Sequence, residues 1–399
     1  MHQRQLFLQH VAQTSHAPLM LEIAKAEGCI LTDVHGKTYI DLISGIAVSN
    51  VGHGHPKVKA AIHAQTEKYL HVMVYGEVIE SPQVQYATWL AQHLPENLNS
   101  VYFVNSGSEA TECALKLAKR VTGRSEIVSC AHAYHGSTMG ALSAGNDESR
   151  KQAFRPLIPD NTLIPYLDYS ALERITDKTA AVLIEPIQAE AGIRIPDQAY
   201  LMAVRKKCTE TGALLIFDEC QTAFGRAGSL FRCTAIQVIP DILTLGKAVG
   251  GGLPLGACIS SREAMQTFTT EPILGHITTF GGHPLCCAAG LAAAQVLMEE
   301  QLLDSVEQKG KLFDHFLQHA PGVTGYRRCG LMIAVDLPDV EINMQAVSRL
   351  VAAGVFIDWF LYAPASLRIA PPLTISEPEI ILACSKITEV LEQLQTSAQ

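Results

Sequence analysis

The chain has 399 residues, 48% of them hydrophobic and 17% charged, which is ample apolar material for a core and too much for a disordered chain. Its length is well above the roughly 150 residues of a common domain, so one large domain and a smaller companion are expected. With 30 Lys and Arg against 39 Asp and Glu, the formal charge is −9, opposite to the basic field of a dedicated nucleic-acid binder.

Taken from the start, residues 1–20 are polar and contain several histidines, without the apolar stretch of a signal peptide. Residues 30–33 and 38–41 flank His35-Gly36 and read as a small hairpin. Through the middle, short apolar runs at 101–104, 127–129, 181–185, 213–218, 242–245 and 256–260 alternate with helical patterns. The runs lack polar alternation, as strands covered on both faces do. Between them, Ala110, Cys113, Ala114, Leu117 and Ala118 follow helical spacing, as do Tyr200, Ala203, Val204 and Cys208. An α/β domain with a mainly parallel sheet and crossover helices is expected.

After Pro284 the texture changes to an Ala- and Leu-rich helix near 285–300, then polar helices and β-like segments at 331–336 and 367–369. The division expected is residues 1–60 joining a smaller α+β domain, 61–285 as the large α/β domain, and 286–399 completing the small one. The richest apolar stretch, 286–298, is interrupted by Gln295 and is shorter than the roughly 18 residues needed to span a bilayer. The 11 cysteines are scattered, with one adjacent pair and neither CxxC nor zinc-ligand spacing. A reduced thiol set in a cytoplasmic protein is expected, with no metal and no membrane partner.

Four polar features stand where apolar runs stop, and in open α/β sheets ligands collect at the carboxyl ends of strands. Ser106-x-x-Glu109 reads as a capping box opening a helix that runs to about Arg120. With Gly107 behind it, that helix start suits a phosphate, although an ordinary capped helix has the same pattern. Glu185 ends one run. Asp218 ends another, where burial demands a cation or donor. A protonated pyridine nitrogen would serve, and so would a helix cap or an ion pair with Arg226. Lys247 is a single amine among apolar and glycine residues, where burial would make it an imine-forming nucleophile. A surface lysine ahead of a glycine loop is the plainer alternative. Gly250-Gly251-Gly252 matches neither GxGxxG nor GxxxxGK[ST]. A phosphate cradle, an aldehyde-capturing lysine and a carboxylate for a ring nitrogen together describe pyridoxal 5'-phosphate.

The motifs, in order, are Asp33-x-x-Gly36-Lys37, Gly52-His53-x-His55-Pro56, Asn105-Ser106-Gly107-Ser108-Glu109-Ala110, Tyr134-His135-Gly136 and Glu185-Pro186-Ile187-Gln188. They continue with Asp218-Glu219-x-Gln221-Thr222, Leu245-Gly246-Lys247, Thr279-Phe280-Gly281-Gly282 and Arg368-x-x-Pro371-Pro372. In these, from about residue 31 to 391, the sequence resembles a class III (ornithine/acetylornithine-type) pyridoxal-phosphate aminotransferase. The resemblance implies fold type I, the aspartate-aminotransferase-like fold, and ping-pong amino transfer from an amino acid or ω-amino donor to a 2-oxo acid. It also implies roles. Lys247 forms the internal aldimine and shuttles the proton at Cα. Asp218 pairs with the pyridine nitrogen, Gln221 lies near the phenolic oxygen and Tyr134 stacks on the ring. Ser106, Gly107 and Ser108 form the phosphate cradle. Thr279 reaches the phosphate of a neighbouring subunit, so a homodimer with shared sites is implied. Arg368 takes the substrate α-carboxylate and Glu190 holds or releases it, since a planar guanidinium suits bidentate carboxylate recognition. Tyr75 and Ser137 shape the donor pocket.

Departures from the family pattern bear on substrate choice. Ser137 stands where arginine usually follows His-Gly, exchanging a charge-assisted hydrogen bond of about 1.5–3 kcal/mol for a neutral one of about 1 kcal/mol. A narrow acetylornithine preference is therefore not expected. Cys220 replaces a branched aliphatic residue on the ring face and is read as a small hydrophobe. Ala223 replaces a glycine and His283 an asparagine. Enzymes like glutamate-semialdehyde aminomutase also lack arginine after His-Gly, which keeps a non-transaminating fold type I enzyme as the alternative. A non-catalytic binder would usually have lost the lysine or the cradle, and both are present here.

Overall fold

The computed structural model describes residues 3–145 and 147–398. Three N-terminal strands come first: β1 (Ile23–Glu27), β2 (Ile30–Asp33) and β3 (Thr38–Asp41). Seven follow in the middle: β4 (Ser100–Val104), β5 (Glu126–Cys130), β6 (Asn161–Ile164), β7 (Thr179–Ile184), β8 (Leu214–Asp218), β9 (Ile242–Leu245) and β10 (Gly256–Ser260). The C-terminal part adds β11 (Gly325–Cys329), β12 (Met332–Asp336), β13 (Val355–Phe356), β14 (Asp358–Trp359) and β15 (Ser366–Ile369).

The seven central strands form one sheet in the order β4-β10-β9-β8-β7-β5-β6. From β9 to β6 every pairing is parallel, while β10 runs antiparallel to both its neighbours. Every residue of β7, β9 and β10 is buried. That is why these runs carry no polar alternation: helices cover both faces. The helix α1 (Gly107–Thr122) buries Ala110, Cys113, Ala114, Leu117 and Ala118 against the sheet and stops at Gly123, which takes the left-handed conformation that favours glycine.

The expected hairpin is present, with Asp33 Oδ1 accepting from the His35 and Lys37 amides at 2.9 Å. β3 also pairs in parallel with β13, which ties the first 41 residues to the C-terminal third of the chain. A third sheet, β11-β12-β15-β14, is antiparallel. The helix α2 (Pro284–Glu299) packs on the helices Pro56–Thr66 and Ser81–His93 and on the turn after Lys247. Among the described residues no helix is long and apolar enough to cross a membrane.

Candidate active site

β4, β5, β7, β8 and β9 all point the same way, so their carboxyl ends share one edge of the sheet. Asp218 closes β8 and is buried. Its Oδ2 lies 2.7 Å from Nδ1 of His135, on the loop after β5, and its Oδ1 accepts from the Cys220 amide at 3.0 Å. Burial alone would push the Asp218 carboxyl up, but the His135 hydrogen bond and charge hold it below the usual carboxylate range. Burial works against His135 protonation too, and Asp218 overcomes it, raising that imidazole. Glu185, one residue past β7, accepts from the amides of Tyr134 and Ala189 at 3.1 Å. Burial pushes its carboxyl up to about 7.

The cradle is built on close backbone approach. Ser106 caps α1 by accepting from the Glu109 amide at 3.2 Å. The Glu109 carboxylate does not return to the Ser106 amide as a standard capping box would. It accepts instead from the Asn105 amide at 2.7 Å and from Asn105 Nδ2 at 2.9 Å. A Cβ on Gly107 would lie 2.8 Å from Cys220 Sγ, and one on Gly246 would lie 3.1 Å from the same sulfur. Cys220 therefore packs between the helix start and the turn that presents Lys247, as a small hydrophobe can. Gly136, at φ 126°, leaves no room for a side chain: a Cβ would sit 1.9 Å from Ser108 Oγ. That hydroxyl accepts from the Ser137 amide at 3.2 Å. Lys247 is half-buried with φ 52°, and its Nζ has no hydrogen-bond or ion-pair partner among the described residues.

A second centre lies on the C-terminal sheet. Arg368 of β15 donates through both terminal nitrogens to Glu190, at 2.8 Å each, and to Trp359 O at 2.7 Å. Glu190 also accepts from Gln221 Nε2 at 3.0 Å and from the Leu361 amide at 3.1 Å. Burial would raise the Glu190 carboxyl, but Arg368 and these donors hold it below its ordinary value. Gln221 thus links the Asp218 loop to the Glu190–Arg368 pair.

The structure also places the remaining residues singled out in the sequence. The Asp218 partner is His135, not Arg226, which is fully buried and donates to Leu331 O, Pro371 O, Ser44 Oγ and Asn50 Oδ1 at 2.6–3.1 Å. His283, without an assigned role from sequence, caps α2: its Nδ1 accepts from the Leu285 amide at 3.3 Å. Tyr134 is half-buried, with its hydroxyl 3.3 Å from that of exposed Ser137. Tyr75 and Thr279 do not join the Glu190–Arg368 pair within this chain. Tyr75 lines a cleft of about 210 Å³ beside Tyr102 and Thr278, and Thr279 is exposed on the following loop. Nothing in the structure explains Ala223. Sequence reasoning missed the pairing of His135, whose partner is 83 residues away, and all of Asp358, which has no motif around it.

The matching family model, Aminotransferase class-III, covers residues 11–391. The chain is 40% identical to the acetylornithine aminotransferase of Methanopyrus kandleri over 96% of both proteins. Among solved structures it is similar to the ornithine aminotransferase of Toxoplasma gondii, at 29% identity and TM-score 0.91, over 98% of this chain and 95% of that one. A third relative is the adenosylmethionine-8-amino-7-oxononanoate aminotransferase of Methanocaldococcus jannaschii, at 28% identity and TM-score 0.90, over 98% of each chain. The chain belongs to the class III aminotransferases. It is a pyridoxal-phosphate-dependent transaminase with fold type I, acting on a small-molecule amino donor and a 2-oxo acid. Each of these relatives is an aminotransferase, which favours transamination over the aminomutase alternative. The residues present fit the cofactor: a lysine amine with no partner among the described residues, a buried carboxylate, and a helix start where Gly107 lets the backbone approach closely beside the Ser106 and Ser108 hydroxyls.

Proposed function

We propose that Lys247 holds the cofactor aldehyde and moves the proton at the substrate Cα. Asp218, oriented by His135, holds the proton on the ring nitrogen, where its lowered pKa keeps it anionic. Pyridoxal phosphate, when bound, supplies the electron sink that makes the Cα proton removable. The amides after Ser106, with the Ser106 and Ser108 hydroxyls, receive the phosphate at the positive end of α1. Tyr134 covers one ring face and Cys220 the other, and Gln221 lies at the boundary between ring and substrate. The α-carboxylates of donor and acceptor take the end of Arg368 now held by Glu190, which turns aside toward Gln221. Ser137 leaves the distal part of the donor without a charged clamp, so the enzyme accepts a wider range of donors than an acetylornithine-specific one.

The reading extends to the assembly. Leu70, Met73, Ile79, Ile273, Ile277 and Phe280 are exposed on the two loops that carry Tyr75 and Thr279. A second copy of the chain covering this face would bring Thr279 to the neighbour's phosphate and Tyr75 to its donor pocket, giving a homodimer with shared sites. The domain limits near residues 60 and 285 belong to the same proposal. So does a cytoplasmic location, which the eleven unpaired thiols suit.

One observation carries this proposal: Lys247, the Asp218–His135 pair and the Glu190–Arg368 pair are joined through Cys220 and Gln221. Borohydride reduction of the holoenzyme followed by peptide mapping is expected to leave the reduced adduct on Lys247. A panel of donors and 2-oxo acids should give parallel-line ping-pong kinetics. An adduct elsewhere, or none, would overturn the assignment.

A further inference from the structure

Arg368 faces two carboxylates, and the second is Asp358. It stands directly opposite Arg368 across the β14–β15 ladder. Asp358 Oδ1 lies 3.1 Å from Arg368 Nε, off the hydrogen-bonding line, and both atoms are buried without a hydrogen-bond partner among the described residues. The neighbouring residues close the rest of the guanidinium. Trp359 O accepts from Nη2, and the Phe360 ring lies 4.9 Å from the guanidinium carbon. Only the end shared with Glu190 can open to a ligand.

We propose that Asp358 is a positioning residue that tempers the affinity of Arg368 for substrate carboxylates and so sets the enzyme's preference among them. This rests on Arg368 being the carboxylate site. Before substrate arrives, one guanidinium is shared by two anions. An incoming carboxylate is a third. Glu190 can turn aside, because Gln221 already holds one of its oxygens. Asp358 cannot, because the strand ladder fixes its backbone opposite Arg368. Burial pushes the Asp358 carboxyl up to about 6 against the pull of Arg368, so above that pH its negative charge opposes the substrate's and speeds release of each product. Asp41 adds negative potential from β3. Across the width of a guanidinium, about 7 Å, one uncompensated charge changes anion affinity by about 7- to 50-fold at effective dielectric constants of about 40 down to 20.

The test is binding of butyrate, a carboxylate without an amino group, to the cofactor-loaded enzyme by calorimetry, with butyramide as the uncharged control. Asp358→Asn should bind butyrate about 7- to 50-fold more tightly and lower KM for pyruvate to match. Butyramide binding should not change. Asp358→Glu, which keeps the charge, should return both values toward those of the wild type. Unchanged butyrate affinity in a folded, cofactor-loaded Asp358→Asn variant, or an equal gain for butyramide, overturns the inference. Arg368→Gln separates the two levels: if it binds butyrate as the wild type does, the assignment of Arg368 as carboxylate site fails as well.

Discussion

Asp218 can remain charged in an apolar strand end because His135 and the Cys220 amide meet it. Two opposite linkages follow. The Asp218 pKa is lowered on folding, so its contribution is present above the unfolded value of about 3.9 and is lost as pH falls through the lower folded value. The His135 pKa is raised, so its contribution is complete below about 6.5 and is lost as pH rises through its higher folded value. The pair is strongest between about pH 4 and 6.5. Asp218→Asn should therefore destabilise the cofactor-free protein most within that window, by about 3 kcal/mol as expected for breaking a buried pair, and less at alkaline pH. Urea unfolding across pH measures this, and a gap that does not vary with pH would contradict it. The same substitution should lower kcat/KM about 10- to 100-fold, the value of one charge-assisted hydrogen bond. Asp218 itself was legible in the sequence as a carboxylate ending an apolar run. Its partner was not, because a contact spanning 83 residues leaves no local pattern.

At the scale of elements, the cofactor end of the sheet depends on three chain segments meeting at one sulfur. Cys220 Sγ fills the space that a Cβ on Gly107 or Gly246 would claim. Gly107→Ala should press on that sulfur and displace the first turn of α1, at an overpacking cost of about 1–3 kcal/mol. Cofactor affinity should fall by about tenfold or more, and pairing the change with Cys220→Ala should recover most of the loss, a non-additivity expected of neighbours. Equilibrium dialysis of the cofactor against both single variants and the double variant measures this, and simple additivity would show that the contact is immaterial. These elements were readable for a physical reason. β7, β8 and β9 are apolar because helices cover both faces, and the runs give way abruptly to Glu185, to Asp218 and, after Gly246, to Lys247. β6 and β11 are half-exposed and mixed in polarity, and β13 and β14 have two residues each. Such strands exist only because neighbours pair with them, so no local pattern announces them. Asp358 is illegible for that reason, since its position opposite Arg368 depends on the register of a two-residue strand.

At the scale of the whole molecule, the proposed site would be incomplete within one chain. Glu190 and Arg368 meet without Tyr75 or Thr279, which lie on exposed loops beside an apolar face. Ile79 on that face is 91% exposed and Ile273 76% exposed. A monomer would leave such residues in water, whereas the proposed two-fold pairing would bury the same patch on both partners and exchange the loops reciprocally. Exchange has a consequence that simple dimerisation lacks. A Lys247→Ala chain and a Thr279→Ala chain are each impaired alone. When the two are unfolded together and reassembled, half of the dimers formed at random are hybrids. In each hybrid, one site combines the intact Lys247 of one protomer with the intact Thr279 of its partner. Activity should therefore return to about a quarter of the wild-type value, the share of intact sites that a two-fold assembly allows. If Thr279 served its own chain's phosphate, every hybrid site would carry one defect and mixing would restore nothing. The assay thus distinguishes an enzyme that merely dimerises from one whose active sites are made jointly by two copies.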